Sequence, residues 1–357
     1  MNVVAPIPCR KPMSPGATFD RTRMAMAHAK LEVMDAFGRT VDYLRISITD
    51  RCDERCLYCR PESHHGWESQ PDHLTAEEIV RVVHVAARLG FRKFRLTGGE
   101  PLLRPEVTDL VCAMAAIPGV ECVGLSTNGT RLAKLAAPLR EAGLRTVNVS
   151  LDALDPQLYR HITGGDVLDV LSGIRAAVAA GFERVKLNCV LMRGVNEVEL
   201  WPLVIFAAEH RLPLRLIELM PLTRTDVLTE ANFLPVGEAM QLLRQRDELV
   251  PLSERRFGWG PAKYYQLKHI GARVGFIGAM TNPHFCESCN KLRLTADGKL
   301  RPCLGDHGEL DLRSALRNSA SDDAVREVFL AALRQKPPEH SFRGQYQPGR
   351  PMTAIGG

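Results

Sequence analysis

The sequence predicts an α/β protein whose main part is a partial (β/α)6 barrel. Six apolar, β-branched runs between residues 43 and 220 alternate with amphipathic segments of helical period. This alternation is typical of parallel strands joined by helical crossovers. The chain has 357 residues, 45% of them hydrophobic, which is enough to bury a large core. A closed barrel needs eight units and no further pair is evident after Leu222, so a doubly wound sheet is the alternative from pattern alone.

The elements follow one another in a regular order. The predicted strands cover residues 43–49, 93–97, 122–127, 146–151, 185–192 and 214–220. The predicted helices cover residues 75–90, 105–117, 131–142, 167–180 and 197–210. Thr75 and Glu78 have the spacing of a capping box, and Gly90, Gly143 and Gly181 are glycines at predicted helix ends.

A loop with three cysteines follows the first predicted strand. Cys52, Cys56 and Cys59 have the spacing C-x3-C-x2-C, and the aromatic Tyr58 precedes the third. A structural zinc site normally has four protein ligands, whereas a [4Fe–4S] cube has four irons to be capped. Three cysteines on a cube leave one iron open for a small molecule. The alternatives are an incomplete zinc knuckle and a loop of free thiols.

Glycines and polar residues mark the ends of most other predicted strands. Gly98-Gly99-Glu100 follows the second strand, and Ser126 leads into Asn128-Gly129 after the third. Ser150 and Asp152 end the fourth strand, and Met220 ends the sixth. Since the carboxyl ends of parallel strands converge on one side of a barrel, these residues are expected to border one site.

A second group of three cysteines lies past the barrel. Cys286, Cys289 and Cys303 have the spacing C-x2-C-x13-C, again without an evident fourth ligand. Asp297-Gly298 between alternating apolar residues predicts a hairpin turn, which places Lys291 and Arg293 on one face of a strand. Cations beside an open cluster suit an anionic substrate. The alternatives are a structural zinc completed by His284 or His307, and a solvated basic strand.

Composition narrows the class of function. The net charge of +5 and the pI of about 8.7 are too mildly basic for a nucleic-acid track, and 6% aromatic residues argue against base-stacking platforms. No apolar run approaches the length of a membrane span. Cysteine clusters of this kind favour a reducing compartment, the cytoplasm. We expect a disordered extension over residues 1–36, a barrel over 37–225 and a cluster-bearing α+β region over 226–357.

These motifs together resemble the GTP 3′,8-cyclases (MoaA type) of molybdenum cofactor biosynthesis, within the radical S-adenosylmethionine (SAM) superfamily. The resemblance runs from about Asp35 to the C-terminus. It is carried by residues 37–39, 43–52, 95–102 and 148–152, by the C-x2-C-x13-C block, and by the tail Arg350-Pro-Met-Thr-Ala-Ile-Gly-Gly357. The first cysteine group marks the superfamily, and the second group with the terminal Gly-Gly marks the family.

The resemblance implies two [4Fe–4S] clusters, SAM and specific roles for residues. Cys52, Cys56 and Cys59 would hold the first cluster, and Cys286, Cys289 and Cys303 the second. Tyr58, Gly99, Ser150 and Met220 resemble SAM contacts. The residues that resemble GTP contacts are Arg45, Arg95, Ser126, Lys186, Lys291, Leu292 and Arg293. Gly356 and Gly357 would reach into the site and help to place Arg45.

The sequence makes three departures from the family pattern, at four positions. Ser126 stands where Thr is usual, and Lys291 replaces an Arg, which loses the bidentate fork. Asp53 and Glu54 follow Cys52 where Asn and an aromatic residue are common, which adds negative charge near the cluster.

The resemblance also implies an activity and partners. A 5′-deoxyadenosyl radical from SAM would take hydrogen from C3′ of GTP, and the sugar radical would attack C8 of guanine. An electron donor such as flavodoxin or ferredoxin and a downstream cyclic pyranopterin monophosphate synthase are implied partners, and a homodimer is compatible with the sequence. No nucleic acid or membrane is expected to bind. The rivals are a peptide-modifying radical SAM enzyme with an auxiliary cluster and a non-enzymatic metal-binding regulatory module.

Overall fold

The structure, a computed structural model, describes residues 33–59, 73–223, 225, 227, 229–253, 260–318, 321–344 and 346–356. The predicted disordered extension therefore lies almost wholly outside the described residues. The strands are β1 (Tyr43–Ser47), β2 (Lys93–Thr97), β3 (Cys122–Thr127), β4 (Thr146–Ser150), β5 (Arg184–Leu191), β6 (Leu214–Glu218), β7 (Leu249–Pro251), β8 (Lys263–Leu267), β9 (Arg273–Ile277), β10 (Lys291–Leu294), β11 (Lys299–Arg301) and β12 (Leu310–Asp311).

The helices lie between and after these strands. They are α1 (Ala76–Leu89), α2 (Val107–Ala115), α3 (Leu132–Glu141), α4 (Pro156–Thr163), α5 (Val167–Ala179), α6 (Leu200–Glu209), α7 (Val236–Arg244), α8 (Leu312–Asn318), α9 (Asp322–Arg334) and α10 (Met352–Ile355), with 3-10 turns at Pro101–Leu103 and Glu197–Glu199. None of the helices in the described ranges has the length and apolar character needed to cross a membrane.

One sheet contains all twelve of these strands, in the order β12-β11-β10-β1-β2-β3-β4-β5-β6-β9-β8-β7. The pairings from β1 to β6 are parallel, as predicted. The C-terminal region extends this run at both ends, because β10 is parallel to β1 and β9 is parallel to β6. On its other side, β10 pairs with antiparallel β11, and β9 pairs with antiparallel β8. The two ends of the parallel run therefore do not meet, the sheet stays open, and the partial barrel is confirmed.

The sequence predicts no further strand–helix unit after Leu222, and it does not reveal that later strands join the parallel sheet. In the described residues, β9 and β10 extend the parallel run at its two opposite ends without a regular helix between them. The single sheet crosses the predicted boundary at 225/226, and the division into domains stays a prediction.

Local signals set the helix ends. Thr75 accepts a hydrogen bond from Glu78 N while Glu78 accepts one from Thr75 N, and Gly90 ends α1 at a φ of 118°. Among the described helices of the predicted barrel, only α4 has no counterpart in the sequence prediction, and α7 to α10 of the C-terminal region were not predicted. The eight residues of α4 are mostly polar, although Asp155 caps its start and Gly164 ends it at a φ of 73°. The short helix matters because its last turn supports the first cysteine loop.

The two faces of the barrel strands differ in character. Leu44, Leu96 and Val147 point outward into the core beneath the helices and are fully buried. The alternate residues of the same strands are polar or charged, as Arg45 and Arg95 illustrate. Because side chains alternate across a strand, this second polar set faces the barrel interior. The interior is therefore a lined cavity and not a second apolar core.

Candidate functional site

A cavity of about 370 Å³ occupies the barrel interior and continues to both cysteine groups. Nearly all the site residues predicted from the sequence border it. They are Arg45, Cys52, Cys56, Tyr58, Cys59, Arg95, Gly99, Ser126, Ser150, Lys186, Met220, Cys286, Cys289, Lys291, Arg293 and Cys303. Leu292 is an exception, because its side chain is fully buried in the core and points away from the cavity. Gly357 lies outside the described residues.

The first cysteine loop is held by backbone contacts to two elements. Arg55 N donates to Thr163 O at 2.7 Å and Leu57 N donates to Ile162 O at 2.9 Å, so the end of α4 supports the loop from one side. On the other side, Gly99 leaves room for the chain. A Cβ atom at Gly99 would lie 2.1 Å from Arg51 O. The Gly-Gly turn after β2 therefore lets the backbone of the cysteine loop pass at close range.

Glu100 ties this turn to the next strand end. Its carboxylate accepts hydrogen bonds from Leu102 N at 2.9 Å, Thr127 Oγ1 at 2.7 Å and Asn128 N at 2.7 Å. Burial raises the pKa of Glu100 to about 7, against the lowering effect of these bonds. Glu100 thus fixes the relative positions of two loops that border the cavity.

The thiols of Cys52, Cys56 and Cys59 are close enough to affect one another electrostatically. Burial raises the pKa of Cys56 well above its usual value, and the charges of Glu54 and of the other two cysteines raise it further. In the described part of the chain, no three His, Cys, Asp or Glu side chains are arranged to hold a single metal ion. The three thiols instead border a shared space. Deprotonating three buried thiols is costly unless a positive charge lies between them. The cationic core of an iron–sulfur cluster would supply that charge, so the three cysteines fit such a cluster.

Two buried tyrosine–carboxylate pairs stand beside this loop. Tyr58 OH donates to Asp152 Oδ2 at 2.7 Å, and Asp152 also accepts from Val190 N at 2.8 Å. Tyr159 OH donates to Glu54 Oε1 at 2.8 Å. Burial raises the pKa of Asp152 to about 6 and that of Glu54 to about 8. Glu54, a departure from the family pattern, is therefore paired with a hydroxyl from α4.

The second cysteine group is fixed by two basic residues. Arg39 donates to Cys286 O at 3.1 Å, and Lys336 Nζ donates to Lys291 O at 2.9 Å and to Pro302 O at 2.8 Å. Burial alone would raise the pKa of Cys289, but the charges of Lys336 and Lys291 outweigh it and lower the pKa to about 7. Burial raises the pKa of Cys286 and of Cys303, so Cys289 is the member of this set whose surroundings favour the thiolate, the ligating form. Three thiols on one cavity nevertheless form a donor set that suits an iron–sulfur group.

The two cysteine groups lie at opposite ends of one pair of strands. The first loop follows the carboxyl end of β1, whereas Cys289 directly precedes the amino end of β10, which runs parallel to β1. A five-residue strand such as β1 spans roughly 15 Å. Arg45, Lys291 and Arg293 line the cavity along this span. A ligand between the two groups would therefore meet a row of cations.

Burial and mutual repulsion destabilise the charged forms of these cations. Burial, with a contribution from Arg293, lowers the pKa of Arg45 to about 9. Burial also lowers the pKa of Lys186 to about 6, and the charges of Arg215 and Arg95 add to this effect. An anion bound among them would relieve both costs, which is the electrostatic property of a polyphosphate site.

Arg95 is held in place by three neighbours. Its guanidinium donates to Tyr43 OH at 2.6 Å, to Leu125 O at 2.6 Å and to Thr146 Oγ1 at 2.9 Å. Gly124 makes room for it, because a Cβ atom there would lie 2.6 Å from Arg95 Nη2. Arg95 thus links β1 to β4 while adding positive charge to the interior. Its contact with substrate stays a prediction.

Several cavity residues were missed from the sequence. Arg184, Asn188 and Arg215 line the cavity, as does Lys336. Arg184, Lys186 and Asn188 alternate along β5, and Asn188 pairs with Arg215 on β6. The two-residue period of polar side chains in otherwise apolar strands was the signal that could have found the first three. Lys336 follows α9, and no local pattern marks it.

The described part of the C-terminal tail reaches the cavity. Met352 and Thr353 line it, and Arg293 Nη1 donates to Gly356 O at 2.6 Å. Gly356 has a φ of 75°, and a Cβ atom there would lie 2.8 Å from Thr97 Cγ2. The predicted approach of the tail to the site is thus observed up to Gly356, while its effect on Arg45 stays a prediction.

Comparison with known proteins agrees with this geometry. Residues 46–207 match the Radical SAM superfamily, and residues 212–342 match the family described as Molybdenum Cofactor Synthesis C. A GTP 3′,8-cyclase of Moorella thermoacetica is 44% identical over 326 residues, which is 91% of this chain and 100% of that protein. The GTP 3′,8-cyclase 1 of Pseudomonas aeruginosa is 44% identical over 329 residues, which is 91% of this chain and 99% of that protein.

The chain belongs to the GTP 3′,8-cyclase family. The family inferred from the sequence motifs is thereby confirmed. Among solved structures, Streptococcus suis SuiB bound to the precursor peptide SuiA aligns with a TM-score of 0.57 at 15% identity, covering 85% of this chain and 75% of that one. This likeness supports the fold that GTP 3′,8-cyclases share with other radical SAM enzymes.

Proposed function

We propose that this protein is a radical SAM GTP 3′,8-cyclase of molybdenum cofactor biosynthesis, which converts GTP to (8S)-3′,8-cyclo-7,8-dihydroguanosine 5′-triphosphate. The observation that carries the proposal is the row of buried cations between two three-cysteine groups on one cavity. Relatives of this name align over nearly their whole length. A peptide-modifying activity has no comparable need for a polyphosphate site.

The first cysteine group holds a [4Fe–4S] cluster in this proposal, with SAM beside it. When bound, this pair supplies a 5′-deoxyadenosyl radical. Cys52, Cys56 and Cys59 are the ligands, and Tyr58, Gly99, Ser150 and Met220 bind SAM. Tyr58 is oriented for this by its hydrogen bond to Asp152. Radical chemistry demands that water be kept from the reactive species, and a site inside the barrel serves this demand.

The second cysteine group holds a further [4Fe–4S] cluster that anchors the guanine. Arg45, Lys186, Lys291 and Arg293 then bind the triphosphate, and Arg95, Ser126 and Arg215 complete its surroundings. Lys291 keeps the charge of the usual Arg without its fork. Holding both ends of GTP places the ribose between them, so positioning accounts for much of the catalysis.

The cellular setting follows from the same chemistry. Thiol-ligated clusters persist in a reducing compartment, which favours the cytoplasm. The enzyme requires a one-electron donor such as flavodoxin or ferredoxin, and its product passes to a cyclic pyranopterin monophosphate synthase.

The decisive experiment is anaerobic reconstitution with iron and sulfide, followed by turnover with SAM, a reductant and GTP. We expect about eight irons per chain, 5′-deoxyadenosine and one cyclised nucleotide in comparable amounts. Deuterium at C3′ of GTP should be transferred to 5′-deoxyadenosine. Release of 5′-deoxyadenosine without deuterium and without a cyclised product would contradict the proposal.

A further inference from the structure

The described part of the C-terminal tail enters the site as a short segment that is held at α10 and at its tip. α10 packs Ile355 against Leu222 and Phe342, and Met352 N donates to Thr223 Oγ1 at 3.2 Å. At its tip, Arg293 holds Gly356 O. Ordering such a terminal segment costs conformational entropy, so the tail needs a further contact to stay seated.

That contact lies where the tail begins its approach. Arg350 is the one charged side chain of residues 346–357. Its Nη1 donates to Asp297 Oδ1 at 3.0 Å and its Nη2 donates to Asp297 Oδ2 at 2.6 Å. Its Nε also lies 3.5 Å from Glu309 Oε1. This is a bidentate Arg–carboxylate pair, the geometry in which charge-assisted hydrogen bonds are strongest.

The surroundings favour a fixed pair over a fluctuating surface contact. Arg350 is 31% exposed and Asp297 is 25% exposed, so both are partly removed from water. Thr295 Oγ1 donates to Asp297 Oδ1 at 2.6 Å and orients the carboxylate. The Arg350 hydrogen bond helps to lower the pKa of Asp297 to about 2, against the effect of burial, so the carboxylate is ionised at neutral pH.

The position of Asp297 gives the pair its functional meaning. Asp297 lies in the turn that joins β10 to β11, and β10 carries Arg293. The β10–β11 hairpin therefore contacts the tail at two points. Asp297 binds Arg350 before α10, and Arg293 binds Gly356 after it. The same hairpin carries Lys291 beside the second cysteine group.

We propose that Arg350 and Asp297 form a latch that seats the C-terminal tail in the active site and couples SAM cleavage to GTP cyclisation. Neither residue borders the cavity, so both are positioning residues that act through the tail. The effect of the latch on catalysis rests on the proposed function. Its effect on the position of the tail does not, and that effect can be measured without turnover.

The test combines two readouts on Arg350→Ala, Asp297→Ala and the double variant. The first readout is the rate at which carboxypeptidase releases residues from the C-terminus of the folded protein. The second is the ratio of cyclised nucleotide to 5′-deoxyadenosine in the reconstituted enzyme. We expect Arg350→Ala to accelerate release and lower the ratio, each by about tenfold, the lower end of the scale for a hydrogen bond to a charged group. Asp297→Ala should act somewhat less because Glu309 remains, and the double variant should add little.

The chain offers a matched control. Arg193 makes the same bidentate contact to Glu238, at 2.8 and 2.5 Å, far from the tail in sequence and outside the cavity lining. Arg193→Ala should change neither readout. Arg350→Lys keeps the charge without the fork and should fall between wild type and Arg350→Ala.

Wild-type digestion and a wild-type ratio in Arg350→Ala would overturn the latch, as would additive effects in the double variant. If the wild-type enzyme makes no cyclised nucleotide, the proposed function fails, and the digestion rates alone still decide whether the latch seats the tail.

Discussion

Arg45 on β1 and Arg293 on β10 occupy paired positions on adjacent parallel strands, and both border the cavity. Burial lowers the pKa of Arg45 to about 9, and the charge of Arg293 adds to this effect. Burial also lowers the pKa of Arg293, to about 10, with a further lowering by the charge of Arg301. Two like charges at paired positions of a sheet are unfavourable without a counter-ion. The free protein therefore tolerates an arrangement that an anionic ligand stabilises.

The first prediction follows from the repulsion between Arg45 and Arg293 in the absence of an anion. Arg45→Gln should stabilise the GTP-free reconstituted protein by about 1 kcal/mol, since a like-charge contact is removed. It should weaken GTP binding by roughly 1.5–3 kcal/mol, the scale of a hydrogen bond to a charged group. Thermal unfolding and calorimetric titration measure the two effects. Arg175→Gln, on the exposed face of α5, is the control and should change neither. A less stable protein with unchanged GTP affinity would show that Arg45 supports the fold instead.

The second prediction concerns the pH dependence of GTP binding. Lys186 has a pKa of about 6 in the free protein, lowered chiefly by burial. A bound triphosphate favours the protonated amine, so the pKa of Lys186 is higher in the GTP complex than in the free protein. At any pH between these two pKa values, GTP binding is accompanied by uptake of a proton. Affinity should be greatest below pH 6 and should fall as pH rises through the pKa of the bound form.

Lys186→Gln should remove this part of the pH dependence and the associated proton uptake, measured by calorimetry in two buffers of different ionisation enthalpy. GTP titrates in both proteins, so the difference between them isolates the lysine. Equal proton uptake by wild type and variant would contradict the assignment. Guanosine, which lacks phosphates, should bind both proteins equally.

The sequence predicted those parts of the structure that depend on local signals. The capping box of Thr75, the helix end at Gly90 and the hairpin turn at Asp297-Gly298 appear where they were expected. Each is set by residues within a few positions of one another, as is the spacing of the cysteines. The partial barrel follows from the strand–helix alternation.

What the sequence did not predict depends on contacts between distant segments. Pairing of β10 with β1 joins residues about 250 positions apart, and nothing local in residues 291–294 specifies that partner. Lys336, just after α9, reaches Pro302 beside the second cysteine group across 34 positions, and Arg350 meets Asp297 across 53 positions in the sequence. Leu292 is a predicted GTP contact as part of the Lys291–Arg293 strand that resembles the family's contacts, although strand alternation turns its side chain into the core.

The third prediction separates the two cysteine groups. Cys56→Ala should abolish 5′-deoxyadenosine formation and lower the iron content from about eight to about four per chain. Cys289→Ala should lower iron similarly while leaving SAM cleavage measurable and removing cyclised product. Iron analysis and product quantification check both. Cys122→Ala is the control, because Cys122 is buried outside the cavity lining, and it should retain all the iron. Undiminished 5′-deoxyadenosine from Cys56→Ala would contradict the ligand assignment.

The fourth prediction tests the close approach at Gly99. Gly99→Ala places a methyl group 2.1 Å from Arg51 O, so the cysteine loop must move. We expect weaker retention of the first cluster, seen as faster loss of its visible absorbance in the presence of a chelator. Gly237→Ala is the control, since a Cβ atom there meets nothing within 4 Å and α7 accommodates alanine. Equal chelation rates in the two variants would show that Gly99 does not position the loop.

The last prediction concerns the tip of the tail. At a φ of 75°, Gly356 adopts a conformation that favours glycine, and a Cβ atom there would lie 2.8 Å from Thr97 Cγ2 and 3.1 Å from Ser47 Cβ. Gly356→Ala should therefore displace the last residues of the tail and break the hydrogen bond from Arg293 to Gly356 O. The contact between Arg350 and Asp297 should remain. Iron content and SAM cleavage should stay near wild type, whereas cyclised product should fall at least tenfold, and deletion of Gly356 and Gly357 should nearly eliminate it. Ala354→Gly, two residues earlier on α10, is the control for general loosening of the tail. If Gly356→Ala cyclises GTP as well as wild type, the contact between Arg293 and Gly356 has no part in placing the substrate.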